Sequence, residues 1–279
     1  MDEQIDALIT LALREDLGPS GDVTSTAVLG PAAGCAGRLV AREPIVVAGL
    51  EIARAVFARV DPSVRFTSHL IDGTELLPGK ALAELSGPAR SVLAAERTAL
   101  NFLQRLSGVA TLTAAYAQEL AGTRCRLLDT RKTTPGWRAL EKAAVRAGGG
   151  HNHRMGLFDG ILIKDNHVAA AGGVRQAVEA ARRGAGALLK VELEVDTLDQ
   201  LREALALGVE VVLLDNMKPE TLKAAVKLRD ELSPRTLLEA SGGVRRETVG
   251  AIARTGVDFV SAGALTHSAP AVDIGLDLD

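Results

Sequence analysis

The chain has 279 residues, 47% of them hydrophobic and 24% charged, with a formal charge of −3. That length calls for one α/β barrel or a barrel-sized domain with a smaller companion. The apolar content excludes a disordered chain, and the near-neutral charge excludes a global basic field for nucleic acid or an acidic membrane. The two cysteines, Cys35 and Cys125, have neither disulfide-framework nor zinc-site spacing. With an acidic opening at Asp2-Glu3 and no apolar run of membrane-spanning length, the chain is expected to be cytoplasmic.

Residues 3 to 14 place Ile5, Leu8, Ile9, Ala12 and Leu13 on one helical face, and Gly18-Pro19 stops the pattern. Strands are predicted at Arg38 to Ala41 and Val64 to Leu70, with a helix over Leu50 to Val60 between them. Asp72-Gly73, Pro78-Gly79 and Gly87-Pro88 punctuate this region as turns. Lys80, after Leu77-Pro78-Gly79, has the look of a carrier-hairpin lysine but lacks the flanking methionines, so it is read as a surface turn residue. A helix from Pro88 to Leu106 turns Val92, Leu93, Leu100, Leu103 and Leu106 inward, interrupted by Arg97 and Arg105. Gly108 is expected to mark its end. Residues 1–108 thus form a small α+β domain, with the tail 268–279 a candidate addition to it.

From residue 109 to 267 the rhythm changes. Apolar, β-branched strands recur at Cys125 to Asp129, Gly160 to Lys164, Leu188 to Val195, Val209 to Asp215, Thr236 to Ala240 and Val257 to Ala262, mostly separated by Ala- and Leu-rich helical stretches. Consecutive βαβ units imply a parallel sheet. No G-x-G-x-x-G or P-loop opens a helix, which favours a barrel over an open nucleotide-binding sheet, although six strands fall short of eight.

Most of these strands end in polar residues. Thr130, Arg131 and Lys132 follow Asp129; Lys164, Asp165, Asn166 and His167 follow Ile163; Asp215-Asn216 closes one strand and Ser241-Gly242-Gly243 another. In a parallel barrel such ends converge on one face. Strand alternation puts Lys190, Glu192 and Glu194 on one face, open to reading as an internal salt-bridge layer or, for Glu194 with Asp215, as ligand contacts. Arg131, Lys132, His153, Arg154 and Lys164 make a local cationic cluster suited to a ligand of several negative charges. The glycine turns at Ser241-Gly242-Gly243 and Ala262-Gly263 offer bare backbone N–H groups to a phosphate. His151 and His153 have metal-pair spacing with His167 as a third candidate, but Arg154 beside them opposes a cation. Lys164 also admits a Schiff-base reading.

Eight segments, in order, resemble the quinolinate phosphoribosyltransferases. They are Ala95-Glu96-Arg97-Thr98-Ala99-Leu100-Asn101, Asp129-Thr130-Arg131-Lys132-Thr133-Thr134-Pro135-Gly136, Gly148-Gly149-Gly150-His151-Asn152-His153-Arg154, Ile163-Lys164-Asp165-Asn166-His167, Val191-Glu192-Leu193-Glu194-Val195, Leu214-Asp215-Asn216-Met217, Glu239-Ala240-Ser241-Gly242-Gly243 and Gly263-Ala264-Leu265-Thr266-His267. The resemblance implies a small N-terminal α/β domain followed by an incomplete, roughly seven-stranded α/β barrel. It also implies transfer of phosphoribosyl from phosphoribosyl pyrophosphate to quinolinate with decarboxylation. The implied assembly is a dimer in which Arg97 reaches the partner's quinolinate, with a hexamer left open.

Carried over, Arg131, Arg154 and Lys164, with His153, would hold the quinolinate carboxylates, and Lys132 would serve quinolinate or the sugar phosphate next to Thr130. Glu194 and Asp215 would face the ribose hydroxyls and a Mg2+ bound largely through phosphoribosyl pyrophosphate, so that Lys132, Glu194 and Asp215 are the catalytic candidates. Ser241, Gly242, Gly243, Gly263, Ala264, Leu265 and Thr266 would take the 5′-phosphate. Nicotinate phosphoribosyltransferase and a barrel lyase using Lys164 are the rival readings.

Overall fold

Apolar alternation in the first part of the chain and near-continuous apolar strands in the second produce two different sheets, and a computed structural model describes both, over residues 2–186 and 188–279. In chain order the first elements are α1 (Glu3–Leu17), α2 (Val23–Val28), β1 (Gly34–Ala41), β2 (Ile45–Val46), α3 (Leu50–Val60), β3 (Arg65–Thr67), β4 (Glu75–Leu76), β5 (Ala81–Pro88) and α4 (Ala89–Glu119). Then come β6 (Arg126–Leu128), α5 (Arg138–Ala147), β7 (Ile161–Ile163), α6 (Asp165–Ala171), α7 (Val174–Gly184), β8 (Val191–Val195), α8 (Leu198–Ala206) and β9 (Val211–Asp215). The last are α9 (Pro219–Leu232), β10 (Leu237–Ser241), α10 (Arg246–Ala253), β11 (Phe259–Ser261), α11 (Ala264–His267) and β12 (Ile274–Leu278).

The chain divides into two compact units, one of Met1–Ala114, Thr134–Gly149 and Ala269–Asp279, the other of Ala115–Thr133 and Gly150–Ser268. The first unit carries a four-stranded sheet in the order β12-β1-β5-β3, all pairs antiparallel. On α3, Leu50, Ile52, Ala53, Val56 and Phe57 are buried, the helical spacing of one apolar stripe. A buried charge network ties distant stretches of this unit. The Arg105 guanidinium meets the fully buried Glu141 carboxylate at 2.7 Å and donates to the Ala269 carbonyl at 2.5 Å. The Thr134 N–H and hydroxyl also donate to Glu141, at 3.0 and 2.8 Å. A buried carboxylate is tolerable only with such partners.

The second unit holds a six-stranded sheet in the order β6-β11-β10-β9-β8-β7, in which every pair is parallel. Outward-facing Leu193, Val212, Leu214, Leu238 and Val260 are fully buried, as expected where helices cover a parallel sheet. The sheet does not close among the described residues. Beyond β6, a one-residue parallel bridge from Leu128 to His151 stands at the free edge. This is the incomplete barrel, and its six strands coincide with the six segments predicted from the sequence.

The helix that precedes β6 runs longer than its sequence suggests. Gly108 lies inside the 31-residue α4 rather than at its end, because it is there for packing, not termination. A Cβ at Gly108 would sit 1.9 Å from the Pro270 carbonyl oxygen, so only glycine admits the tail's backbone. Alanine at a helix interior normally stabilises by about 1 kcal/mol over glycine. Here Gly108→Ala is expected to destabilise by about 1 to 3 kcal/mol through overpacking, whereas Gly30→Ala, with nothing within 4 Å, should be nearly neutral. Chemical denaturation of both variants checks the contrast.

Candidate active site

The carboxyl ends of the parallel strands surround a cavity of about 540 Å³ whose lining includes Thr130, Arg131, Lys132, His153, Arg154, Lys164, Glu194, Asp215, Ser241, Gly242 and Gly243. All of these were singled out from the sequence, and they arrive together because inward positions alternate along each strand. On β8 these are Glu192 and Glu194, on β9 Val211, Leu213 and Asp215, and on β10 Glu239 and Ser241. Gly263, Ala264, Leu265 and Thr266 do not line this cavity. Leu265 and Thr266 are fully buried, and the Thr266 hydroxyl donates to the Lys132 carbonyl at 2.7 Å. A Cβ at Gly263 would come 3.0 Å from Lys132 Cδ, so this turn shapes the lysine's seat. Arg97 belongs to the other compact unit.

The cations are anchored individually. Lys164 Nζ pairs with Glu194 Oε2 at 2.5 Å, while its backbone N–H donates to His167 Nδ1 at 2.9 Å. Arg154 donates from Nη1 to the Gly160 carbonyl at 3.0 Å. Burial first, and the like charge of Arg131 second, hold its guanidinium below the usual arginine range. Two guanidinium groups in such a relation favour an anion between them.

Four residues outside the predicted set complete the site. Asp129, fully buried at the end of β6, accepts from Asn152 Nδ2 at 2.6 Å and from the His153 N–H at 2.9 Å. It thereby fixes the segment that carries Arg154. Asn216 donates from Nδ2 to Asp215 Oδ2 at 2.6 Å and has a left-handed backbone, φ 53°, a conformation that asparagine tolerates better than most residues. Glu239 lies at the cavity floor, 1% exposed. Ser261 donates to the Ser241 hydroxyl at 3.0 Å. All four carried one sequence signal, as polar residues at or near strand ends.

Gly242 and Gly243 both have positive φ, 92° and 60°, so successive backbone N–H groups can turn toward an anion. A Cβ at Gly242 would strike Asn216 Oδ1 at 2.2 Å. Glu194 and Asp215 are hard oxygen donors, the chemistry Mg2+ takes from one or two carboxylates plus a phosphate ligand, so the donor set fits that ion.

The fold and pocket define an α/β-barrel protein built to hold a multiply anionic ligand at the mouth of its strands. The family models for the quinolinate phosphoribosyl transferase N-terminal and C-terminal domains match residues 22–107 and 109–277. A nicotinate-nucleotide pyrophosphorylase [carboxylating] of Mycobacterium leprae (strain TN) is 46% identical over 272 residues, 97% of this chain and 95% of that protein. A probable enzyme of the same name from Bacillus subtilis (strain 168) is 44% identical over 276 residues, 99% and 93% of the two chains. The crystal structure of NadC from Streptococcus pyogenes superposes with a TM-score of 0.94 at 42% identity, covering 99% and 96%. The chain belongs to the quinolinate phosphoribosyltransferase family.

The contact between Gly242 and Asn216 makes a stability prediction. Gly242→Ala should cost about 1 to 3 kcal/mol from strain and overpacking, and Asn216→Gly, which removes the struck oxygen, should recover part of that loss. A double-mutant cycle by denaturation is expected to show a coupling of about 0.5 to 3 kcal/mol; strict additivity would contradict the contact.

Proposed function

We propose that this chain transfers the phosphoribosyl group of phosphoribosyl pyrophosphate to quinolinate, releasing pyrophosphate and carbon dioxide and leaving nicotinate mononucleotide. The observation that carries this reading is the convergence of Arg131, Lys132, Arg154 and Lys164 on one cavity in a chain whose formal charge is −3. A dicarboxylate beside a phosphorylated sugar needs that many cations; a monocarboxylate such as nicotinate needs fewer. Its relatives' names point the same way.

In this reading Arg131, Arg154 and Lys164 hold the two quinolinate carboxylates, while Lys132 serves quinolinate or the sugar phosphate. The glycine turn after β10 takes the 5′-phosphate on backbone N–H groups. Glu194 and Asp215 face the ribose, where their carboxylates stabilise the positive character that develops at the anomeric carbon as its bond to pyrophosphate breaks. Mg2+, held by the same two carboxylates largely through phosphoribosyl pyrophosphate, would supply neutralisation of the leaving group's charge. The pyridine nitrogen forms the new bond to that carbon. The ring then becomes a pyridinium, whose positive nitrogen stabilises the electron pair left on C2 when the carboxylate leaves as carbon dioxide, and a proton from water takes that position. The protein's contribution is orientation and fixed charge, with no covalent adduct. A Schiff-base role for Lys164 loses support because its amine has a carboxylate partner, Glu194, where an imine-forming lysine needs apolar surroundings or a neighbouring cation.

The cytoplasm supplies both substrates. Among the described residues no helix is long and apolar enough to cross a membrane. The working unit in this reading is a homodimer in which Arg97 of each subunit contacts quinolinate bound by the other.

Purified protein given Mg2+, phosphoribosyl pyrophosphate and quinolinate is expected to release pyrophosphate and carbon dioxide in equal amounts, and neither product with nicotinate in its place. Pyrophosphate release with nicotinate alone would move the assignment to the monocarboxylate enzyme. Arg131→Ala should raise the KM for quinolinate at least about tenfold, the loss of one charge-assisted pair. Glu194→Ala should instead lower kcat by about 10²-fold or more with a smaller change in KM. Steady-state kinetics separates the two.

A further inference from the structure

The barrel is open at its lower end as well as at its mouth. A second cavity of about 220 Å³ lies toward the amino ends of the parallel strands, walled by Leu128, Ile161, Val211 and Phe259. Ile161, Val211 and Phe259 are the first residues of β7, β9 and β11, and in a closed barrel inward side chains at that level form a packed layer. Here all three are only half-buried, whereas Leu193, Val212 and Val260 on the outer face of the same sheet are fully buried. The sheet stops at β6 and β7 among the described residues, so too few side chains point inward to fill this end.

His153, Arg154 and Glu239 line both this chamber and the mouth, so a single layer of residues parts the two. The polar groups around the lower chamber are engaged or peripheral. Arg154 donates to the Gly160 carbonyl at 3.0 Å, and His153 Nε2 stands 3.0 and 3.5 Å from the carboxylates of Glu192 and Glu239. The two Asp159 oxygens accept the N–H groups of Met155 and Gly156, and Lys190 is exposed just before β8. The rest of the wall is apolar.

We propose that this lower chamber is the exit for carbon dioxide, separate from the mouth through which the charged substrates and products pass. The inference rests on the proposed transfer to quinolinate and deepens it. Decarboxylation breaks the bond from C2 to its carboxyl carbon and leaves the electron pair on C2 until a proton from water takes that position. Carbon dioxide kept beside C2 in that interval can re-form the bond, and the mouth is then occupied by the nucleotide. Arg154, which holds a quinolinate carboxylate in this reading, lines both chambers, so the gas forms next to the partition. A small, neutral, apolar molecule is favoured on the surface of Leu128, Ile161, Val211 and Phe259, while the anionic products keep their cations at the mouth.

The first arm of the test needs no turnover. Crystals of the full-length protein held under carbon dioxide pressure should show the gas in the lower chamber against Val211 and Phe259, and Val211→Trp, which puts a large ring into that space, should abolish it there. The second arm follows a single turnover of carboxyl-labelled quinolinate, with pyrophosphate read by rapid quench and carbon dioxide by mass spectrometry. In Val211→Trp the interval by which carbon dioxide trails pyrophosphate should lengthen at least about threefold over the parent, with the KM values for both substrates little changed. Phe259→Ala, which widens the same wall, should not lengthen it. Ile161→Phe, on the edge strand, supplies the block if Val211→Trp does not fold. A lower chamber that stays empty under pressure, or a folded blocking variant with the parent's interval, would overturn the proposal. If the parent turns over neither quinolinate nor nicotinate, the functional reading fails, while the pressurised crystals still decide whether the chamber takes the gas.

Discussion

Two guanidinium groups of like charge, Arg131 and Arg154, are held near one another at the mouth of the parallel sheet, and the second is partly removed from water. Glu192 and Asp159 offset part of the repulsion at Arg154, and an anion entering the cavity would offset more of it. Most of the surrounding structure serves to keep those charges from relaxing away. The Gly160 carbonyl holds the Arg154 guanidinium, the Asp129 carboxylate holds the segment leading to it, and the Thr266 hydroxyl holds the backbone at Lys132.

The parallel register makes this economical. Because Glu239 pairs with Leu213 and Ser241 with Asp215 along β10 and β9, the strands form layers, with polar groups at the rim and buried acids one layer down. In the proposed reading the rim meets ligand, while the lower layer meets the rim's supports. Asn216 shows the same division within a single turn, since it donates to Asp215 while its left-handed backbone lets the chain leave β9 and its N–H reach the Ser241 carbonyl at 2.9 Å. Strain tolerated at a position of this kind is a common mark of functional sites.

Much of this architecture was legible in the sequence because it is local. Six apolar strands with polar ends announce a parallel barrel, and the cation cluster announces its ligand's charge. What was not legible depends on contacts between residues far apart in the chain. Gly108 has the signature of a helix end, yet its reason is the backbone at Pro270, 162 positions later by subtraction of residue numbers. Glu192 looked like half of a salt-bridge layer with Lys190. It instead meets His153, because β8 begins only at Val191. Glu239 reads as one acid in an apolar strand, and nothing in its own segment reveals that a second carboxylate from β8 lies against it.

The central claim is that the cavity's fixed cations select a dicarboxylate. Calorimetric titration of the protein with pyridine-2,3-dicarboxylate and with pyridine-3-carboxylate, at low and at moderate salt, tests it most directly. The account predicts that the dicarboxylate binds at least about tenfold more tightly, the worth of one further charge-assisted pair, with part of that advantage lost as salt rises. Equal affinity for the two, unchanged by salt, would contradict it.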